Sequence, residues 1–199
     1  MSGIKIGVLS MLGLGLAIVL SMIRTVMGED MAPSITSGDW VLLVPSSEIQ
    51  PGEVVATRDP LDPERTVLRR VLAIGGQSIT IAEGQIRVDK RRLRAAAMGD
   101  MGRHLVVSET LWAKRPAVGN SWLTRSVAEP SSHWTAESVE VPAGHVYLMA
   151  DDRDGPLDSR WWGTIPKTSI DGVVKARLGP AHTWRPQFEF LAGTPPLGT

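Results

Sequence analysis

Ala150-Asp151-Asp152-Arg153-Asp154-Gly155-Pro156-Leu157-Asp158-Ser159-Arg160-Trp161-Trp162-Gly163 is the most specific pattern in the chain. Apolar or alternating runs flank it, His145 to Ala150 before and Gly172 to Leu178 after. Two further patterned stretches precede it. One is Thr66-Val67-Leu68-Arg69-Arg70-Val71-Leu72-Ala73-Ile74-Gly75-Gly76, and the other is Gly28-Glu29-Asp30-Met31-Ala32-Pro33-Ser34-Ile35-Thr36-Ser37-Gly38-Asp39. Around all three, apolar residues come in short runs broken by Pro and Gly, which is the mark of β structure.

The predicted strands are Trp40 to Val44, Glu53 to Thr57, Thr66 to Ile74, Ser78 to Ala82, Gln85 to Val88, His145 to Ala150 and Gly172 to Leu178. Pro51-Gly52, Glu83-Gly84 and Pro142-Ala143-Gly144 supply turns between them. No stretch after residue 39 keeps a long 3.6-residue period. The expectation is a mostly β, mostly antiparallel and coiled sheet domain. Residues 95–138 open with Ala95-Ala96-Ala97-Met98-Gly99 and continue as a scatter of polar residues with Trp112, Trp122 and Trp134, in which strands cannot be placed. Residues 185–199, with Pro186, Pro195 and Pro196, read as an extended tail.

The 199 residues suit one membrane anchor and one globular domain large enough for a core. Basic and acidic residues balance at 21 each, which gives no reason to expect nucleic acid as a partner. Cysteine is absent, which excludes disulfides, thiolate metal sites and cysteine nucleophiles. Ile6 to Ile23 carries no charge and is bounded by Lys5 and Arg24. As a helix it would reach about 27 Å, just enough for a bilayer core. A cleaved signal peptide would end in a small-x-small site, and none follows the run. The reading is an anchor over residues 1–27, a domain over 28–184 and the tail over 185–199.

Together the three stretches resemble the signal peptidase I family, serine peptidase family S26 of clan SF. The stretch at Gly28–Asp39 is similar to the family's S-M-x-P-T-L…G-D box, Thr66–Gly76 to its K-R-V strand, and Ala150–Gly163 to G-D-N-R-D-N-S-x-D-S-R-x-x-G. The resemblance covers roughly residues 28–180 and is weak between about 95 and 138. It implies a signal peptidase I-like (LexA-like) β domain with a small, variable second β subdomain at 95–138, behind one N-terminal transmembrane helix. It also implies a single-pass protein of the plasma (inner) membrane, with a cytoplasmic amino terminus and an extracytoplasmic domain.

By the same resemblance, Asp30 stands where the family has its nucleophilic serine and Arg69 where it has its general-base lysine. A serine hydroxyl needs an uncharged lysine to take its proton. Asp30 brings a carboxylate, and a guanidinium stays protonated at any working pH and cannot act as a base. Gly28 replaces the serine that donates to the oxyanion, and Pro156 replaces the hydroxyl that steadies the lysine. Losing one oxyanion donor costs about 2.7 to 4 kcal/mol of transition-state stabilisation. The catalytic positions are therefore expected to be inactive. Asp30 and Arg69 are expected to form a bidentate ion pair that locks the site, the alternative being that both point to water.

The residues implied to hold the fold remain: Met31, Pro33, Gly38, Asp39, Arg70, Gly76, Asp151, Arg153, Asp154, Asp158, Ser159, Arg160 and Gly163. Among them Asp158 and Arg160 resemble the family's salt-bridge partners, with Arg153 and Asp154 fixing the turn. Ser34 and Ser37 lack family spacing to Lys90, Lys114, Lys167 or Lys175, so a substitute dyad is disfavoured. His104, His133, His145 and His182 form no metal-binding spacing, and no metal or other cofactor is expected. Trp40 is a candidate interfacial residue beside the anchor, and in a strand one of Trp161 and Trp162 would face inward.

The family implies a groove that holds an extended segment through main-chain hydrogen bonds. The functional expectation is a catalytically inactive, membrane-anchored homologue. It would bind an extended segment of a secreted or membrane protein, or subunits of a membrane complex, as a chaperone or accessory subunit. Some signal-peptidase-like proteins with the same dyad loss are associated with pilus assembly, which supplies an analogy. The alternatives are an active serine-type endopeptidase that processes secreted precursors and a purely structural subunit of a membrane complex.

Overall fold

The computed structural model describes residues 13–82, 84–101, 104–111, 121–127, 136–155 and 157–180. Residues 13–21 form helix α1, and the chain then turns at once into strand β1, Ile23–Thr25. Among the described residues no helix is long and apolar enough to cross a membrane. The first part of the expected anchor, like the tail over 185–199, lies outside them. The last part is a correction to the sequence reading, because Ile23 to Thr25 pair antiparallel with Leu42 to Trp40. Only Ile23 of this strand belongs to the uncharged run, and three residues are too few to show a strand period.

The main sheet has seven strands in the order β1, β2 (Asp39–Val44), β14 (Ile170–Pro180), β3 (Val54–Asp59), β4 (Asp62–Ile74), β12 (His145–Met149) and β13 (Ile165–Pro166). All its pairings are antiparallel. β5 (Ser78–Ala82), β6 (Gln85–Val88), β7 (Arg91–Arg92) and β11 (Ala136–Glu140) form a second sheet in the order β11-β5-β6-β7. The weakly patterned region yields a third sheet, β10-β9-β8, from Arg94–Met101 (β8), His104–Thr110 (β9) and Ser121–Val127 (β10). The mostly β, antiparallel expectation therefore matches the fold.

Three apolar clusters fill the interior. Leu72, Ile79, Ile86, Trp122, Tyr147 and Met149 join the small sheets to the main one. Val55, Val71, Leu148 and Val173 fill one part of the main sheet, and Met31, Ile35, Val41 and Val54 another. Desolvation pushes the hydroxyl of the buried Tyr147 well above the usual phenol range, and Asp158 adds to it. Trp161 and Trp162 lie on a short helix, α2 (Ser159–Trp162), and not on a strand; Trp161 is exposed and Trp162 packs against the core.

Among the described residues, Gly75 and Gly172 admit no side chain. A Cβ on Gly75 would stand 2.8 Å from the Pro142 carbonyl oxygen, and one on Gly172 would stand 2.9 Å from that of Val44. In both cases the obstacle is backbone. Gly172→Ala is expected to destabilise the domain by about 1–3 kcal/mol, read as a lower thermal midpoint, because β14 would have to part from β2. Gly76, one of the glycines singled out in the sequence, is required for another reason: its φ is 89° in the turn that leads into β5.

Candidate functional site

Asp30 sits in a compact turn over residues 28–38 that the strands position from both sides. Val26 N–H donates to the Asp39 carbonyl and Gly38 N–H to the Val26 carbonyl, which closes the loop at its base. Asp39 is fully buried; its carboxylate accepts from Thr36 N–H at 2.7 Å and pairs with Arg177 Nε at 2.8 Å. Met31 is buried beneath the turn, and a cis peptide bond joins Ala32 to Pro33. Asp152 N–H donates to the Asp30 carbonyl at 3.0 Å, which ties the turn to the Asp151–Asp154 segment.

Strand β4 brings Arg69 to Asp30. Arg69 Nη1 donates to Asp30 Oδ2 at 3.0 Å, and Arg65 Nη2 approaches the same oxygen at 3.6 Å. The other donors of Arg69 go to backbone: Nε and Nη2 to the Leu157 carbonyl at 3.2 and 2.9 Å, and Nη1 to that of Leu68 at 2.6 Å. Its guanidinium also lies over the Trp162 ring, 5.4 Å from the centroid. The contact with Asp30 thus uses one carboxylate oxygen, where the sequence reading expected a bidentate pair. The physical reason is that the guanidinium fork is already aligned with the Leu157 carbonyl.

Arg69 is buried, whereas the Asp30 side chain keeps about a quarter of its surface exposed, at 26%. Burial lowers the Arg69 pKa from its ordinary value, and the attraction of Asp30 opposes that shift. A guanidinium in this setting remains a cation with donors only. Gly28, two residues before Asp30, offers no hydroxyl, and Pro156 lies outside the described residues.

Around this pair the charged residues of the third motif are tied down. Arg70, next to Arg69 on β4, points away into the core and grips Asp151 through Nε at 2.8 Å and Nη2 at 2.5 Å. It also donates to the Gly52 carbonyl at 2.7 Å and lies over Trp122. Arg153 pairs with Glu109 and donates to the Ala150 carbonyl at 2.7 Å. Desolvation alone would lower the Arg153 pKa; Glu109, Asp151 and Asp158 outweigh it, and the net shift is upward. Arg160 holds Asp158 through Nε at 2.8 Å and Nη2 at 2.7 Å. Asp158 also caps α2 and accepts from Ala150 N–H at 3.1 Å. Ser159 Oγ accepts from Leu148 N–H at 2.9 Å, Asp154 accepts from Val127 N–H at 2.5 Å, and Gly163 is the C-cap of α2.

The remaining candidates lie apart from this chemistry. Ser34 Oγ donates to the Leu123 carbonyl at 2.8 Å, and Ser37 Oγ accepts from Gly28 N–H at 3.4 Å. Lys175 pairs with Glu53 at 2.6 Å, Lys90 is an exposed turn residue and Lys167 opens a 3-10 turn. Lys114, His133 and His182 are outside the described residues. Among the described residues no cluster of His, Asp and Glu has metal-binding geometry. Arg65, the Leu157 carbonyl, Trp162 and Glu109 are site residues that the sequence did not point to. Arg65 belongs to no motif, Leu157 and Trp162 occupy variable positions within the third one, and Glu109 lies in the weakly patterned region.

A cavity of about 620 Å³ opens beside Asp30, lined by Met31, Val41, Leu43, Leu68 and the rim cation Arg65. β4 pairs with β3 over residues 62–70 and with β12 only over residues 70–74. Among the described residues, nothing pairs with its second edge over 62–69. The site thus combines a carboxylate about a quarter exposed and held by arginines, an apolar-lined groove and, among the described residues, an unpaired stretch of strand edge.

The family profile described as "Signal peptidase, peptidase S26" matches residues 2–179. The signal peptidase I of Pseudomonas aeruginosa is 26% identical over 172 residues, covering 74% of this chain and 57% of that protein. That of Streptococcus pneumoniae TIGR4 is 24% identical over 188 residues, covering 89% of this chain and 91% of the relative. The mitochondrial ATP-independent inner membrane protease subunit 1a of Arabidopsis thaliana is 26% identical over 158 residues, 77% of this chain and 67% of its own length. The match thus spans little more than half of the Pseudomonas protein and nearly all of the streptococcal one. A crystal structure of a signal peptidase I from Enterococcus faecalis aligns with a TM-score of 0.43 and 18% identity, over 64% of this chain and 97% of that one. With a profile match that runs through nearly the whole chain, the protein belongs to the signal peptidase family, peptidase S26.

Proposed function

We propose that this protein is a catalytically inactive signal peptidase homologue, anchored in a membrane, that grips an extended segment of a secreted or membrane protein without cutting it. It serves there as a chaperone or accessory subunit, in pilus-type assembly or another membrane complex. The observation that carries this reading is the contact of Arg69 with Asp30 at 3.0 Å. At the two positions that resemble the family's dyad, one side chain has no proton to lose and the other cannot accept one. The groove and the free edge of β4 support retained binding, since an extended segment can add to such an edge through main-chain hydrogen bonds. Helix α1 at the end of the uncharged run supports the anchor, with the domain extracytoplasmic. The Arabidopsis relative is by name an inner membrane protease subunit, which agrees with a membrane location.

The test is anisotropy of a labelled signal-peptide segment titrated with the full chain in detergent. Saturable binding is expected, weakened at least tenfold by Leu68→Arg in the groove, with the peptide recovered uncut. Absence of binding, or binding that Leu68→Arg leaves unchanged in a folded protein, would sink the proposal.

A further inference from the structure

The charged residues described in the wall of the groove beside Asp30 are Arg24, Arg58, Arg65, Asp30 and Asp171. Their charges do not cancel. Arg58 Nε lies 3.5 Å from Asp171 Oδ2, and the buried Arg69 neutralises Asp30 at 3.0 Å. Arg24 and Arg65 are left over. Arg24 Nη1 donates to backbone, to the Ser21 and Ile23 carbonyls. Arg65 Nη2 stands 3.6 Å from Asp30 Oδ2, an oxygen that Arg69 has already engaged, and at that distance it makes no hydrogen bond. Among the described residues no other carboxylate comes within ion-pair distance of either arginine.

The backbone places Arg65 there. On β3, Arg58 and Asp59 are consecutive, whereas their partners on β4, Thr66 and Asp62, are four residues apart. Pro63, Glu64 and Arg65 therefore form a bulge, a device that re-aims side chains and interrupts pairing. The Arg65 side chain leaves it more than half exposed, at 53%. It stands directly before residues 66–69, whose second edge no described strand covers.

We infer that the groove selects an acidic segment, an extended chain that carries an aspartate or glutamate among apolar residues where it passes Arg65. The inference rests on the binding role proposed above and adds the chemistry of what is bound. A chain laid along residues 66–69 brings a side chain to Arg65, whose guanidinium donors are open to a bidentate carboxylate. Opposite charges on neighbouring strands stabilise their pairing, and a lysine at that place would meet a like charge. Met31, Val41, Leu43 and Leu68 take the apolar neighbours, and Arg24 adds to the positive potential of the groove.

The experiment measures anisotropy of a labelled apolar segment in three versions, with Glu, Gln or Lys at its centre, titrated with the full-length protein in nonionic detergent. The Glu version should bind about threefold or more tighter than the Gln version, and the Lys version weaker than both, with the differences shrinking in added salt. Arg65→Gln should remove the preference for Glu over Gln, and Arg65→Glu should turn it in favour of Lys. Both changes fall on an exposed side chain, and the thermal midpoint checks the fold. Binding of none of the three versions overturns the binding role and this inference with it. Equal binding of all three, or a preference for Glu that Arg65→Glu leaves in place, overturns the inference alone. Saturable binding of short-chain phosphatidylglycerol that Arg65→Glu abolishes, with the three peptides bound alike, assigns the cations to a lipid surface and likewise overturns it.

Discussion

Asp151→Ala is expected to lower the stability of the domain by about 3–5 kcal/mol, the cost of leaving one member of a buried ion pair without its partner. Arg70 would keep only its bond to the Gly52 carbonyl, a 3.4 Å contact with Ser34 and its stacking on Trp122, in a position with almost no access to water. For a chain of this size the loss corresponds to a fall of about 6–20 °C in thermal midpoint, read by tryptophan fluorescence. Arg70→Met/Asp151→Leu should recover much of it, because removing both charges removes the desolvation cost as well. A single Asp151→Ala variant that melts with the wild type would show that the pair holds nothing together.

Glu109→Ala is the second large effect. One carboxylate on β9 serves Arg153 of the third motif, Trp122 Nε1 at 3.1 Å and Thr124 Oγ1 at 3.3 Å. It therefore links the β8–β10 sheet to the turn that carries Asp151 and Asp152. Its loss leaves the buried Arg153 guanidinium without its ion-pair partner, with only the Ala150 carbonyl and the more distant Asp151 and Asp158 to offset its charge, again at about 3–5 kcal/mol. Because both β10 partners go at once, amide exchange should rise first in β9 and β10 and less in β3 and β4. Glu109→Gln, which keeps hydrogen-bond capacity without the charge, should fall between the two.

Much of the main and second sheets was legible because each strand carries its own pattern. β2, β5, β6, β12 and β14 lie within a few residues of the apolar or alternating runs that announce them. The start of β4 was not, since Asp62-Pro63-Glu64-Arg65 is exposed and polar and is extended only because β3 pairs with it. β8 to β10 were invisible for a related reason. Ala95, Ala96 and Ala97 give no alternation, and the third sheet is held by hydrogen bonds and by Glu109, which has meaning only beside Arg153.

At the site, the sequence brought Asp30 and Arg69 to the same place through the family pattern. It could not foresee that the Leu157 carbonyl takes two guanidinium donors, or that Arg65 provides a second cation. Those partners come from a loop and from a polar strand end. Their contribution depends on three-dimensional placement and leaves no mark in spacing.

The central claim is that the Asp30–Arg69 site does not hydrolyse peptide bonds. Its most direct test is a cleavage assay of the full-length, detergent-solubilised protein on a signal-peptide precursor, with the signal peptidase I of Pseudomonas aeruginosa as the active reference. The account predicts intact precursor with this protein under conditions in which the reference converts it fully. Product that appears with the wild-type chain and disappears on changing one of its own residues would contradict the account and reveal a nucleophile elsewhere in the chain.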